Sequence, residues 1–390
     1  MLGLALSVAH ADVEGANPLK VASYRVFGSH SATGAALLMP GASQAEINSI
    51  LLPSATAQII DLPFDADVVA AYLFWSGSLP RSTRATRASL GVPLPPSPAP
   101  DPPDREVDFT TADGTFYNDL SVDTDPTGFG RCATTSGLGG FYYCRRDVND
   151  LVRLQGVGNA GGIYTVGDMA ADAGTLSPYD SEWLNAQAKY AAWSLVLVYQ
   201  SASESVRRDI VLYDGFLRLD ETSTPGWHTF TLGDFVVGSP ALGKITIFGL
   251  EGDRQLGVPP LADPWWDFVS FRSASAGSAT TLSDGANPQH NSFNSSWNGQ
   301  ASVDIDTYNL VGLVATGDAS AQITVGSGDG LIPVPADGIG ESFFVGWVVM
   351  TVDTLAPSFR GTQTRKTAYP ATAGPGETVY YTLDVINTGS

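Results

Sequence analysis

The sequence predicts an all-β chain: a large antiparallel β-sandwich of jelly-roll type with one or two short helices, followed by the truncated start of an immunoglobulin-like repeat. Three features carry this reading. Short runs of β-branched and aromatic residues recur along the 390 residues, each bounded by Gly, Pro, Asn or Asp. Glycine (42) and proline (25) are abundant while only 15 % of residues are charged, a composition of many short strands and loops. The strongest runs, WSLVLVY at Trp193–Tyr199 and DIVLYDGF at Asp209–Phe216, are almost continuously apolar. Runs of that length bounded by turn signals fit core strands. With their link they predict an antiparallel pair at the centre of the sandwich, the second strand stopping at the turn dipeptide Asp214-Gly215.

The length allows one large β domain or two smaller ones. Hydrophobic residues make up 43 % of the chain, ample for a core. Forty acidic against 20 basic residues give a net charge of −20. That field repels nucleic acid and anionic membranes and favours cations.

Taken in order, Met1 to Ala11 (MLGLALSVAHA) resembles the back half of a secretory signal peptide, with cleavage expected before Asp12; a buried first strand is the alternative. No later stretch approaches the roughly 18 apolar residues of a membrane helix. Residues 12–357 form the expected sandwich domain. Within it Tyr24–Phe27, Thr56–Leu62 and Val68–Trp75 read as strands, the last closed by Ser76-Gly77. Ser43–Leu51 reads as helical turns, because Ser43 and Glu46 have capping-box spacing. Arg81, Arg84 and Arg87 form the one basic cluster, read as a solvated loop. Val92–Asp104 holds seven prolines in thirteen residues, an extended surface insertion or a boundary between two domains.

Val107–Phe109 and Thr115–Tyr117 flank an Asp113-Gly114 turn, and Asp147–Leu154 predicts a short helix with Asp147 as N-cap. Gly156–Gly161 matches G-x-G-x-x-G literally, but a helix precedes it and the strand Ile163–Val166 follows. A dinucleotide fold needs the reverse order, so this is a glycine-rich turn. Further strands are Trp227–Leu232, Lys244–Leu250, Trp265–Val269, Val303–Asp306, Ala321–Val325 and Phe343–Val352, with a polar loop at Asp284–Asn298. Residues 358–390 supply a linker and one alternating strand, Thr378–Ile386. A single strand cannot fold alone, so a second domain is expected to begin here.

The two cysteines, Cys132 and Cys144, stand either side of a Gly-rich segment. In an exported protein they are expected to form one local disulfide. Two cysteines without a neighbouring histidine cannot complete a zinc site.

Pro375–Gly389, with its PGETVYYT opening and NTG close, resembles the bacterial repeat called domain of unknown function eleven. The chlamydial cysteine-rich outer-membrane protein is a relative of that repeat. Ala71–Gly77, Asp147–Val152, Gly162–Val166, Ala192–Tyr199, Asp209–Phe216 and Leu282–Asn294 are similar to pieces of the large N-terminal β domain of surface proteins that carry such repeats. Gln200-Ser201 departs from the Glu-Asp pair those relatives have after the first core strand. The resemblance implies secretion, cell-surface display on a stalk and no enzymatic activity.

The chemistry in the residues agrees with that expectation. His30, His228 and His290 remain after signal cleavage, and neither H-E-x-x-H nor G-x-S-x-G occurs. A glycosidase needs only two carboxylates, so a sandwich hydrolase stays a minor alternative. If a metal binds, Ca²⁺ is the best-motivated ion. Glu251, Asp253 and Asp267 flank one loop and Asp284, Asn287, Asn291 and Asn294 lie in another, all oxygen donors of the kind calcium takes. The favoured reading is nonetheless solvated loops whose Asp and Asn make local turns, with Ca²⁺ as the alternative. Trp265, Trp266 and Trp297 suggest an aromatic platform for a sugar ring, although adjacent tryptophans on a strand point to opposite faces. The chain is thus read as a non-catalytic exported surface protein with a structural or adhesive role. Its partner would be a cell-surface or extracellular protein or glycan, with no nucleic acid and no membrane span. A calcium-assisted carbohydrate-binding module is the alternative.

Overall fold

The computed structural model describes residues 18–39, 50–78, 103–134, 141–171, 190–219, 226–252, 267–295, 303–327, 342–354, 365–369 and 378–384. In chain order the first strands are β1 (Leu19–Val26), β2 (Gly28–Ala36), β3 (Leu38–Met39), β4 (Ile50–Leu51), β5 (Ser54–Ile59) and β6 (Asp67–Ser78). Then come β7 (Glu106–Thr110), β8 (Phe116–Ser121), β9 (Arg131–Thr134), β10 (Phe141–Asp147), helix α1 (Asn149–Arg153), β11 (Gly162–Gly167) and β12 (Ala191–Gln200). The second half holds β13 (Arg208–Leu219), β14 (Trp227–Leu232), β15 (Gly243–Leu250), β16 (Asp267–Ser273), β17 (Thr280–Thr281), β18 (Val303–Asn309), β19 (Ala321–Ser327) and β20 (Phe343–Asp353). A separate hairpin-like pair, β21 (Arg365–Tyr369) and β22 (Tyr380–Asp384), closes the chain.

Every pairing is antiparallel, and the main strands form four sheets. Their orders are β5-β11-β7-β8, β2-β12-β6-β10-β9, β1-β13-β20-β15-β18 and β14-β19-β16-β17. Three cores lie between them, so the sheets stack as four layers. Leu73, Trp75, Trp193 and Leu195 face Phe109, Tyr164 and Val166 in the first core. Val211, Ile247, Val348 and Met350 face Phe230, Val269, Ile323 and Val325 in another. Between the two five-stranded sheets, Tyr72, Phe74, Tyr143 and Val196 meet Ile210, Leu212, Phe248 and Trp347. Two sandwiches therefore lie back to back.

This stacking explains the hydrophobic pattern. Strands buried on one face alternate, as β5 and β14 do with their exposed-buried rhythm. A strand in either inner sheet has a core on both sides. In β12, Trp193, Leu195 and Leu197 point to the first core while Ala192, Val196 and Val198 point to the seam.

The same stacking corrects the central pair. β12 and β13 do not pair with each other: β12 lies between β2 and β6, and β13 between β1 and β20. Each needs hydrogen-bonded neighbours on both sides and apolar layers above and below, so the chain between them crosses from one inner sheet to the other. Nor does β13 stop at Asp214-Gly215. It bulges between Asp214 and Leu217 and runs on to Leu219. Asp214 is buried and forms an ion pair with Arg145 across the seam, while the Tyr143 hydroxyl donates to its Oδ1 at 2.6 Å. Other polar links cross the seam too: Trp347 Nε1 donates to Ser194 Oγ at 2.8 Å.

Smaller differences have local causes. β6 continues through Ser76-Gly77 because both pair with β10 and β12. Ile50 and Leu51 are extended against Leu38 and Met39 rather than helical, and residues 43–49 lie outside the described residues. The helix begins at Asn149 with Val148, not Asp147, at the N-cap; Asp147 sits one residue earlier and its Oδ1 accepts from the Asn149 backbone N–H at 2.8 Å. Gly156 and Gly158 sit at φ of 86° and 79°, the turn expected there. The strand Thr378–Ile386 is found as β22, with β21 as an unforeseen partner. Cys132 and Cys144 face each other on β9 and β10 and form the expected disulfide. The arginine cluster and most of the proline-rich segment lie outside the described residues.

Candidate functional site

One end of the second sandwich gathers buried oxygen donors. β18 alternates strictly: Val303 and Ile305 face the seam, so Asp304 and Asp306 face the other way, on the same side as Tyr308 in the second sandwich's core. Its neighbour β15 places Gly249 opposite Asp304 and Ile247 opposite Asp306. Asp267 opens β16 and is fully buried, as is Asp304, while Asp306 is 7 % exposed.

The loop after β17 folds over these carboxylates. Asp284 Oδ1 accepts from the backbone N–H groups of Ala286 and Asn287 at 2.8 and 2.9 Å, a tight Asx-type turn. Asn294 Nδ2 donates to the carbonyls of Ala286 and Asn291 at 2.8 and 3.1 Å, holding the loop's two limbs together. Asp267 Oδ1 then accepts from the N–H groups of Ser292 and Phe293 at 2.6 and 3.0 Å, and Asp304 Oδ2 from that of Ser295 at 3.0 Å. Phe293 anchors the loop in the core, stacked on Phe343 at 4.4 Å. Glycine is required beneath it. A Cβ on Gly249 would lie 2.3 Å from the Phe293 ring, and one on Gly252 would lie 1.7 Å from the Phe293 carbonyl oxygen.

The electrostatics of this set are those of crowded acids. Burial pushes the Asp306 carboxyl up to about 9; Asp304, and then Asp284 and Asp267, add to the rise, while a hydrogen bond from Asn287 opposes it. Tyr308 is raised as well, by burial first and then by Asp306. The side-chain oxygens of Asn291 and Asn294 are buried without a hydrogen-bond partner. Orphaned buried acceptors and buried carboxylates in one loop are oxygen donors of the kind a hard cation takes, although among the described residues the three carboxylates whose oxygens converge within 4.8 Å are Asp108, Asp119 and Asp168.

Of the sequence-derived metal ligands, Asp267, Asp284 and Asn287 come together here. Glu251 is buried just past β15 at φ 81°. Asp253 and the three tryptophans proposed for sugar stacking, Trp265, Trp266 and Trp297, lie outside the described residues. Sequence reasoning missed Asp304 and Asp306. The signal was present as V-D-I-D, two acids alternating with core residues on a strand, which puts both carboxylates on one face.

A second acidic group lies on the outer sheet of the first sandwich, where Asp108, Asp119 and Asp168 bring one oxygen each within 4.8 Å of the others. Asp119 and Asp168 are exposed, and Asp119 N–H donates to Asp108 Oδ1 at 3.2 Å.

No protein-family model matches the chain. No curated protein matches it either. Among solved structures it is similar to PNGase F, a glycosylasparaginase from Flavobacterium meningosepticum, at 12 % identity and a TM-score of 0.22 over 83 % of this chain and 96 % of that one. It is also similar to the C-terminal domain of the Streptococcus agalactiae AgI/II polypeptide BspA, at 12 % identity and a TM-score of 0.13 over 84 % and 92 % of the two chains. Likenesses this slight carry no argument about activity.

Proposed function

We propose that the chain is a non-catalytic, exported bacterial surface protein with a structural or adhesive role, and that a calcium ion closes the loop end of its second sandwich. The observation that carries the calcium reading is the buried set Asp267, Asp304 and Asp306 under the Asp284–Ser295 loop, with the partnerless oxygens of Asn291 and Asn294. Carboxylates crowded in a buried site are costly unless protonated or neutralised. A divalent cation bound by Asp306, Asp284 and the side-chain oxygens of Asn287, Asn291 and Asn294 would supply that charge and fix the loop. The Cys132–Cys144 disulfide supports an oxidising compartment, and the net charge of −20 suits a soluble, cation-rich exterior. The repeat-like tail supports display on a stalk.

Thermal melting of the full chain in EDTA and in millimolar Ca²⁺ tests the metal. Calcium is expected to raise the melting temperature, and Asp306→Asn to abolish the rise while Asp108→Asn keeps it. A rise lost only in Asp108→Asn moves the ion to the outer sheet, and no rise at all refutes calcium binding. Export is tested separately, by protease accessibility of the protein on intact producing cells; a protected protein refutes surface display.

A further inference from the structure

A groove of about 470 Å³ opens where the two inner sheets meet at the opposite face of β15, and Lys244 stands in its wall. Lys244 shares a face with Thr246, which points into the seam. There the buried His30 ring bridges Thr351 Oγ1 and Thr246 Oγ1, each at 2.7 Å. Burial holds the imidazole well below its ordinary pKa, with Lys244 adding to the effect, so it contributes no charge near neutral pH. Lys244 Nζ donates to the His30 carbonyl at 3.0 Å. Among the described residues no carboxylate lies within 4.0 Å of it. Burial lowers its pKa, with the longer-range fields of Asp61 and Glu204 opposing the shift and that of Arg208 adding to it.

The other cation in the groove is already engaged. Arg208 Nε donates to Asp353 at 2.9 Å, and its Nη1 donates to Glu204 at 3.0 Å and to the Gly28 carbonyl at 2.7 Å. The groove is therefore polarised. One side carries the available ammonium, flanked by the exposed Thr307 and Asn309. Asn309 Oδ1 accepts from Val311 N–H at 2.8 Å, so its amide NH₂ is the group it can offer. The other side carries Glu204 and Asp353, whose oxygens accept hydrogen bonds.

We propose that this groove binds a small ligand bearing a carboxylate and several hydroxyls, a sugar acid of hexuronate size, with Lys244 pairing its carboxylate and Glu204 and Asp353 accepting from its hydroxyls. The volume lies in the range of small-ligand sites. An ammonium without a close carboxylate is uncommon in a chain with twice as many acids as bases, and an anionic ligand group compensates it. The site uses none of the carboxylates assigned to calcium, so the two proposals stand or fall separately.

Titration calorimetry of the full chain in EDTA tests it, with sodium glucuronate, its methyl ester and glucose as probes. Glucuronate is expected to bind, and the ester and glucose to bind at least tenfold more weakly. Lys244→Gln should weaken glucuronate about 10- to 100-fold, the usual loss of a charge-assisted hydrogen bond, and Lys244→Arg should restore part of it. Unchanged melting of Lys244→Gln shows that the fold is intact. Equal binding of glucose, unaltered affinity in Lys244→Gln, or no heat with glucuronate at 10 mM would each overturn the proposal.

Discussion

Replacing Arg145 tests the four-layer reading most directly. Its guanidinium lies in the seam, with side-chain exposure of 8 % against 2 % for the Asp214 carboxylate it pairs with. Nε also donates to the Phe129 carbonyl at 3.0 Å, and the guanidinium covers the Phe129 ring at 4.4 Å. Arg145→Leu keeps much of the apolar volume but leaves Asp214 buried with, among the described residues, the Tyr143 hydroxyl as its remaining side-chain partner. Breaking a buried pair on one side costs about 3–5 kcal/mol. The orphaned carbonyl and the lost cation–π contact each add about 1 kcal/mol. A total of about 5–7 kcal/mol at pH 7 is expected in urea unfolding. Most of it comes from the stranded charge. Arg145→Leu with Asp214→Leu should recover most of the loss, because replacing both partners by apolar groups is often close to neutral. A cost below about 1 kcal/mol, or one that the second substitution does not relieve, would show that this pair is not buried between two sheets.

Other substitutions probe the remaining layers. In the metal-free protein Asp306, pushed up to about 9, stays protonated at neutral pH while the unfolded chain loses that proton near 4, so its contribution is full below the unfolded value and is lost as pH rises through 9; Asp306→Asn should flatten that decline in melts between pH 4.5 and 9. Gly249→Ala drives a methyl into the Phe293 ring and should cost about 1–3 kcal/mol, with Phe293→Leu relieving part of it in a double-mutant cycle. Trp347→Phe removes the bond to Ser194 Oγ and should cost about 1–3 kcal/mol in urea unfolding. Cys132→Ser with Cys144→Ser should lower stability by about 3 kcal/mol, the loop-closure entropy of a bridge this short, in non-reducing unfolding.

What the sequence determined by itself were the local features. Alternation in Trp227–Leu232, continuous apolarity in Trp193–Tyr199 and the turn at Asp113-Gly114 each follow from side-chain chemistry within a few residues. The disulfide was legible because two cysteines leave one pairing. At the candidate cation site, Asp267, Asp284 and Asn287 stood out as oxygen donors in loops. Asp304 and Asp306 did not, because an acid on a strand reads as solvent-facing unless another element covers it. That covering is a tertiary fact, made by Phe293 inserting above Gly249. The same reason separates β12 from β13. An apolar run records that both faces are buried but not which strands lie beside it, since any apolar neighbour satisfies the hydrophobic effect equally. Pairing was decided by the stacking of four sheets, and within that stack Asp214 became an ion-pair partner rather than a turn residue.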